Sequence, residues 1–135
     1  MTRNVGGSSS INAMIFNRGN PRDFDGWAAQ GLTGWGWADV LPHFRRLEAF
    51  SEGGCATRGG NGPLQVTRAK AAHPLFDVYM QSGEQAGHRR PADHDSSDQD
   101  RMHIAQCTIG DGKRCNSASA RRGNVRTWCC KPGRS

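Results

Sequence analysis

Three amphipathic helical segments, joined by polar and glycine-rich sequence, constrain the fold of this chain more than any other feature. The sequence predicts helices over residues 20–31, 38–50 and 73–88, because apolar residues recur in each at a spacing of three to four. Beside them it offers one short strand candidate, residues 64–66. Each amphipathic helix needs a partner layer, and one short strand does not cover three apolar stripes. The sequence is therefore typical of the covering layer of a larger structure.

Capping residues indicate where the predicted helices begin. Asn20 is a suitable N-cap, and Pro21 suits the first helical position, where its missing N–H is not needed. Pro74 opens the third segment in the same way. Pro42 lies inside the second segment, so that helix is expected to begin near residues 38–39.

The second predicted helix carries charged residues on the face opposite its apolar stripe, at Arg45, Arg46 and Glu48. Two segments between or after the helices are predicted to be irregular, and residues 89–102 show no periodicity. Residues 51–63 are rich in glycine, which predicts a connector, and residues 89–102 are polar and acidic, which predicts a surface loop.

The positive charge of the chain is concentrated at its C-terminal end. Of 18 lysines and arginines, seven lie from Gly112 onward, where there is no acidic residue; the other 11 are balanced by 12 acidic residues. A short, glycine-containing basic tail is more typical of a solvated end than of a surface that recognises nucleic acid. We therefore expect no nucleic-acid partner, and a small basic binding module that acts through this tail is the alternative.

Composition argues against a membrane-spanning or disulfide-rich secreted chain. Hydrophobic residues make up 35% of the sequence, and no run approaches the ~18 apolar residues of a membrane-spanning helix. The N-terminus lacks the basic-then-apolar plan of a signal peptide. The five cysteines, at positions 55, 107, 115, 129 and 130, include no CxxC pair, which predicts unpaired thiols and no zinc site. We expect a cytoplasmic protein without a transmembrane span.

The stretch GGSSSINAM, at Gly6–Met14, combines paired glycines, three serines and an amide. Paired glycines allow a backbone to approach a ligand closely, and small hydroxyl residues offer donors to an anion. Asn12 adds an amide that both donates and accepts. By composition the same residues also suit a solvated linker, although an apolar run from Ile11 to Phe16 follows without a break. Both interpretations remain open on composition alone.

Ordered motifs without gaps run through residues 6–48. They are Gly6-Gly7-Ser8-Ser9-Ser10-Ile11-Asn12, Arg18-Gly19-Asn20-Pro21-Arg22-Asp23-Phe24-Asp25, Trp27, Gly34-Trp35 and Leu41-Pro42-His43-Phe44. Looser motifs follow at Gly60-Asn61-Gly62-Pro63-Leu64, His73-Pro74-Leu75-Phe76 and Gly112-Lys113-Arg114-Cys115-Asn116-Ser117-Ala118-Ser119-Ala120. Together they resemble the glucose–methanol–choline (GMC) family of FAD-dependent oxidoreductases, and most closely its choline and alcohol dehydrogenase branch.

The resemblance implies FAD as the cofactor and places the double-glycine stretch beside it. The residues implied to contact FAD are Gly6, Gly7, Ser8, Ser9, Asn12, Ala13, Met14 and Ile15. Ile11 stands where some relatives have the histidine that bonds covalently to flavin, so FAD is expected to be held non-covalently. The implied reaction is oxidation of the CH–OH group of a small-molecule alcohol, by hydride transfer to the flavin.

Two parts of the family pattern are missing from the sequence. One is the dinucleotide fingerprint GxGxxG, and the other is the C-terminal segment that holds the family's catalytic histidine. The five histidines present are expected to be structural or solvated, so we assign no catalytic residue.

The resemblance predicts how the chain is organised. Residues 1–120 are expected to form part of a GMC-type FAD-binding region of the α/β class, with helices, loops and few short strands but without the Rossmann βαβ core. Residues 121–135 are expected to be a basic tail, disordered or translated in a shifted frame. Such a fragment is expected to be inactive alone, and a non-functional translation product is a further alternative.

Overall fold

The fold combines helices with short strands, and a computed structural model describes it for residues 5–70, 73–91, 93–95 and 101–120. In chain order the elements are a short 3-10 helix (Gly7–Ser10), α1 (Pro21–Ala29), α2 (Trp37–Leu47), β1 (Glu48–Phe50), β2 (Leu64–Arg68), α3 (Pro74–Gln85), β3 (Gln106–Cys107), β4 (Ile109–Gly110), β5 (Lys113–Arg114) and α4 (Ser117–Ala120). The expected mixture of helices and few short strands is confirmed. The expected lack of a Rossmann core stays a prediction, and the predicted tail at residues 121–135 lies outside the described ranges.

The first and third predicted helices are confirmed, and a side chain caps the start of each. The Asn20 side chain accepts a hydrogen bond from the backbone N–H of Arg22 at 3.0 Å, and Pro21 is the first helical residue. At α3 the Nδ1 atom of His73 accepts from the backbone N–H of Leu75 at 3.2 Å. Each helix start therefore has its exposed N–H groups partly satisfied by a side chain next to a proline.

The second predicted helix is wrong over its last three residues. Helix α2 ends at Leu47, and Glu48–Phe50 form strand β1, which pairs in parallel with β2. The three β1 residues are all buried, and Glu48 is 0% exposed although the sequence placed it on the polar face of a helix. Strand pairing and burial in the core outweigh local helical propensity here.

The main sheet has the strand order β1-β2-β3, with β2 antiparallel to β3. The strand candidate at residues 64–66 is confirmed and extends to Arg68. A small hydrophobic core lies on this sheet and consists of Phe16, Phe50 and Val66, with Leu64 packed against it. The sheet therefore links the start of the chain, through Phe16, to its middle.

Helices α1 and α2 pack together through aromatic side chains. The Phe24 ring lies 5.2 Å from that of Trp27, 5.6 Å from that of Trp37 and 5.8 Å from that of Phe44, between ring centroids. Phe24 is buried, whereas Trp35 stays 52% exposed. No helix in the described ranges combines the length and the apolar character that crossing a bilayer requires.

Candidate functional site

The predicted site residues lie on one continuous stretch, which we call the 5–15 loop (residues 5–15). Gly6 has φ +100°, and a Cβ atom there would lie 2.5 Å from the Ser10 Oγ atom. Gly7 also has positive φ, and so does Met14, at +62°. Positive φ is rare for a residue with a side chain, so the conformation of Met14 depends on its surroundings. The loop has a defined backbone path and is not a solvated linker.

Two of the three serine hydroxyls of the loop are engaged within the protein. The Ser9 Oγ atom donates to the carbonyl of Gly6 at 2.6 Å, and the Ser10 Oγ atom donates to the carbonyl of Val5 at 2.7 Å. Ser10 also accepts a hydrogen bond from the Nδ2 atom of Asn116 at 3.1 Å. The side chain of Ser8, in contrast, is exposed. The Ser9 and Ser10 hydroxyls therefore hold the loop in shape.

A distant segment holds the loop from one side, and we call it the 114–119 clasp (residues 114–119). The Arg114 Nη1 atom donates to the carbonyl of Asn12 at 2.8 Å and to the carbonyl of Ser9 at 3.3 Å. The backbone N–H of Ser117 donates to the Ser9 Oγ atom at 3.0 Å, and its hydroxyl donates to the carbonyl of Gly6 at 2.9 Å. Arg114 and Ser117 thus fix both halves of the loop.

The C-terminal end of the loop lies on the sheet. The backbone N–H of Thr108 donates to the carbonyl of Met14 at 2.8 Å, and that of Phe16 donates to the carbonyl of Gln106 at 2.8 Å. Ile15 lies opposite Cys107 in the resulting antiparallel bridge. In this pattern the N–H and C=O of Ile15 point away from the neighbouring strand. The loop thereby turns a donor and an acceptor of its backbone outward.

The outward side of the loop is also apolar. The exposed fraction is 71% for Ile11 and 51% for Ile15. Backbone donors and acceptors beside exposed apolar side chains suit a flat ring system with polar edges, which is the chemistry of a flavin. The predicted residues Gly6, Gly7, Ser8, Ser9, Asn12, Ala13, Met14 and Ile15 are brought together by the loop, with Ser8, Asn12, Ala13 and Ile15 exposed.

Next to the loop's sheet anchor lies a buried group of charged and polar side chains, which we call the ionic cluster: Arg18, Glu48, Arg58, Asp95 and Gln106. Glu48 pairs with Arg18 at 2.5 Å and with Arg58 at 2.6 Å. Arg58 also pairs with Asp95 at 2.7 Å and donates to the Oε1 atom of Gln106 at 2.6 Å. All five residues are at most 4% exposed. The cluster ties the strand that carries Gln106, and hence the sheet end of the loop, to β1.

Burial and pairing act in opposite directions on the central carboxylate of the cluster. Burial raises the pKa of Glu48, while the N–H of Gly59 and the guanidinium charges of Arg58 and Arg18 lower it. The Gly59 N–H donates to the Glu48 Oε2 atom at 3.0 Å. Such an arrangement is stabilising only as a complete set, because each member compensates for the burial of another.

The prediction that residues 89–102 form a surface loop is wrong for His94 and Asp95, which are buried. Asp95 is 1% exposed because its carboxylate pairs with Arg58 and accepts from the backbone N–H of Arg18 at 3.0 Å. His94 is buried beside it and stacks on His103 with ring centroids 3.5 Å apart. Burial, and secondly the charge of His103, lowers the pKa of His94. The acidic residues here compensate for buried arginines.

The sequence did not reveal the roles of Arg58 and Arg114. Arg58 lies in the glycine-rich connector, where a charged residue suggests solvent exposure. Arg114 belongs to a recognised motif, but its partner Asn12 is 102 positions away, so spacing along the chain carries no signal.

A groove of about 740 Å³ lies away from the 5–15 loop, between α2 and the connector. The lining residues of that groove include Arg45 and Arg46 but none of the predicted site residues.

Comparison of the sequence with known proteins gives consistent matches. The sequence profile described as GMC oxidoreductase matches residues 1–132. The chain is 42% identical over 116 residues to oxygen-dependent choline dehydrogenase of Brucella anthropi, a match that covers 86% of this chain and 21% of that protein. The enzyme of the same name from Sinorhizobium fredii is also 42% identical over 116 residues, with the same coverage of 86% and 21%. The chain thus spans 21% of the length of these curated relatives.

Two solved structures resemble the fold of this chain. Pyridoxine 4-oxidase from Mesorbium loti matches with a TM-score of 0.76 and 32% identity, over 84% of this chain and 23% of that chain. An FAD-dependent oxidoreductase from Chaetomium thermophilum matches with a TM-score of 0.76 and 27% identity, over 87% of this chain and 22% of that chain.

Proposed function

This chain belongs to the GMC oxidoreductase family, and from that premise we propose that it forms part of the FAD site of an enzyme that oxidises alcohols. The proposed substrate class is a small alcohol such as choline, because the chain is 42% identical to oxygen-dependent choline dehydrogenases. The proposed contact residues are Gly6, Gly7, Ser8, Ser9, Asn12, Ala13, Met14 and Ile15. The observation that carries the proposal is the 5–15 loop, which combines exposed apolar side chains with an outward backbone edge.

The residues of the loop have distinct roles in this proposal. Gly6 permits the turn that starts the loop, since a Cβ atom there would contact Ser10 at 2.5 Å. The N–H and C=O of Ile15 would bond to polar atoms at the edge of a ring, while its side chain and that of Ile11 would shield the ring from water. We propose that the loop binds and orients the cofactor and excludes water from it.

We propose that FAD is held non-covalently. In the family-like motif, Ile11 stands where some relatives have a flavin-linked histidine, and its hydrocarbon side chain has no nucleophilic atom. Shape, apolar contact and backbone hydrogen bonds are then the forces that hold the cofactor at this loop.

When bound, FAD supplies an acceptor for the hydride that leaves the CH–OH carbon. The hydroxyl proton of the alcohol must go to a base in the same reaction. We assign that role to none of the histidines of this chain; His94, for example, is buried and stacked on His103. The contribution proposed for this chain is binding and not proton transfer.

The test is hydrogen exchange of the purified 135-residue chain with and without added FAD. We expect the chain to purify without stoichiometric flavin and without choline oxidation, because the loop is only one wall of the site. We expect added FAD to slow amide exchange in peptides that cover residues 5–15, and not in peptides from α3. Bound-flavin absorbance with turnover would contradict the expected inactivity of the chain alone.

A matched pair of variants identifies the surface that FAD contacts. Ile15→Asp places a charge on the exposed side of the loop, and Val78→Asp places one on α3 at a position that is 59% exposed. We expect FAD-dependent protection of residues 5–15 to disappear only in I15D. Equal protection in both variants, or no protection in the unaltered chain at any FAD concentration, would overturn the proposed site.

A further inference from the structure

Arg114 makes an unusual concentration of contacts on the 5–15 loop. Its Nη1 atom donates to the Asn12 carbonyl at 2.8 Å, to the Asn12 Oδ1 atom at 2.9 Å and to the Ser9 carbonyl at 3.3 Å. Building on the proposed function, we propose that Arg114 is a positioning residue that sets the backbone of residues 12–15 for FAD.

The side chain of Asn12 transmits the effect of Arg114. Its Oδ1 atom accepts from Arg114 and also from the backbone N–H of Met14, at 3.0 Å. Met14 has φ +62°, a conformation that costs free energy for a residue with a side chain. The bonds through Asn12 offset that cost. Because the peptide plane that joins Met14 to Ile15 rotates with the ψ of Met14, Arg114 acts through Asn12 on the direction of the Ile15 N–H.

The positioning role of Arg114 depends on the geometry of its hydrogen bonds more than on its charge. The three acceptors are two carbonyls and an amide oxygen, and no carboxylate in the described ranges pairs with Arg114. A planar guanidinium fixes the directions of the two N–H bonds of Nη1, which the three acceptors share, whereas a lysine ammonium is a compact charge on a flexible stem. Arg114→Lys keeps the charge and loses the arrangement, and Arg114→Gln loses both.

The neighbouring residue gives a matched control. Lys113 lies in the same strand, β5, and is exposed. Lys113→Gln removes one positive charge from the same hairpin without touching the contacts to Asn12. Any loss of FAD affinity that comes from charge alone should therefore be the same in K113Q and R114Q.

The experiment measures three quantities in the unaltered chain, R114Q, R114K and K113Q: amide exchange of residues 10–15 without FAD, FAD affinity by fluorescence titration, and visible circular dichroism of FAD at saturation. We expect R114Q to speed exchange in the loop and to weaken FAD binding by about tenfold, because FAD would then have to order a loop that Arg114 no longer holds. We expect K113Q to match the unaltered chain. The dichroism at saturation should differ in R114K, because a merely structural role would not alter bound flavin once the site is filled.

The outcomes separate this inference from the proposed function. If the unaltered chain does not bind FAD, the proposed function fails. If it binds FAD and R114Q binds equally well, or K113Q weakens binding as much as R114Q, the role of Arg114 fails and the proposed function stands. Should R114Q fail to fold, R114K decides: unchanged affinity together with unchanged dichroism overturns the inference.

Discussion

Arginine side chains hold both the ionic cluster and the 5–15 loop, but they bond to different kinds of partner in the two regions. Arg58 is 1% exposed and bonds to the side chains of Glu48, Asp95 and Gln106. Arg114 is half-buried, and two of its three acceptors are backbone carbonyls. In the cluster, charge compensates for charge, and the loss of one member leaves the others buried without a partner. At the loop, the hydrogen bonds of one guanidinium fix a backbone whose outer face is exposed, so the effect of losing them is expected to be local.

The largest expected effect comes from breaking the cluster. Arg58→Met removes the cation that compensates for Glu48 and Asp95, and we expect it to lower the free energy of unfolding by about 3–5 kcal/mol. Arg68→Met is the matched control, because Arg68 forms an ion pair with Glu52 at 2.8 Å and the Glu52 side chain is 51% exposed. That change should cost about 0–1 kcal/mol. Urea denaturation followed by far-UV circular dichroism measures both values, and equal effects would contradict the comparison.

A smaller effect is expected where the connector crosses the cluster. A Cβ atom on Gly59 would meet the backbone carbonyl of Arg45 and would lie 2.6 Å from that of Glu48. We expect Gly59→Ala to cost about 1–3 kcal/mol, because backbone atoms would have to move. In Gly26→Ala the new methyl group meets nothing within 4 Å, and Gly26 lies inside α1. That control should stabilise the chain by about 0.5–1 kcal/mol. Urea denaturation measures both variants. If the unfolding midpoints of G59A and G26A move in the same direction, the close backbone approach at Gly59 is unimportant for stability.

The smallest effect is expected at the clasp. Ser117→Ala removes the hydroxyl that bonds to the Gly6 carbonyl at 2.9 Å, a loss of about 0.5–1.5 kcal/mol. We expect faster amide exchange in residues 5–12 with an unchanged urea midpoint. Ser82→Ala, which removes a hydrogen bond to Tyr79 within α3, should leave the loop as it is. A shift of the global midpoint in S117A would mean that the loop and the core unfold together.

Local patterns predicted the helices well, and long-range pairing explains where prediction failed. The cap at Asn20 and the prolines that open both helices act on neighbouring residues, so the sequence alone locates α1 and α3. Glu48 continues a helical pattern, and only its pairing with Arg18 and Arg58 shows that it lies in a buried strand. The polar stretch that contains Asp95 was misassigned for the same reason, since its partners come from other parts of the chain.

The candidate site was likewise predictable from the sequence only in its local motif and not in its long-range contacts. The motif around Gly6 and Asn12 was visible in the sequence, and the family that it resembles is confirmed by the profile match over residues 1–132. The hydrogen bonds that shape the loop were not visible, because Arg114 contributes them from 102 positions away. The contact of these residues with FAD stays a prediction.

The clasp has a consequence for the order of events during synthesis. Ser117 bonds to Gly6 across 111 positions, and Arg114 bonds to Asn12 across 102. Contacts between such distant positions require the closure of a long loop and form after local helices in most folding reactions. On the ribosome, the stretch around Gly6 emerges before Ser117 and has to wait for it before its final hydrogen bonds exist. The 5–15 loop is therefore translated before the clasp but reaches its native conformation only after the clasp has formed.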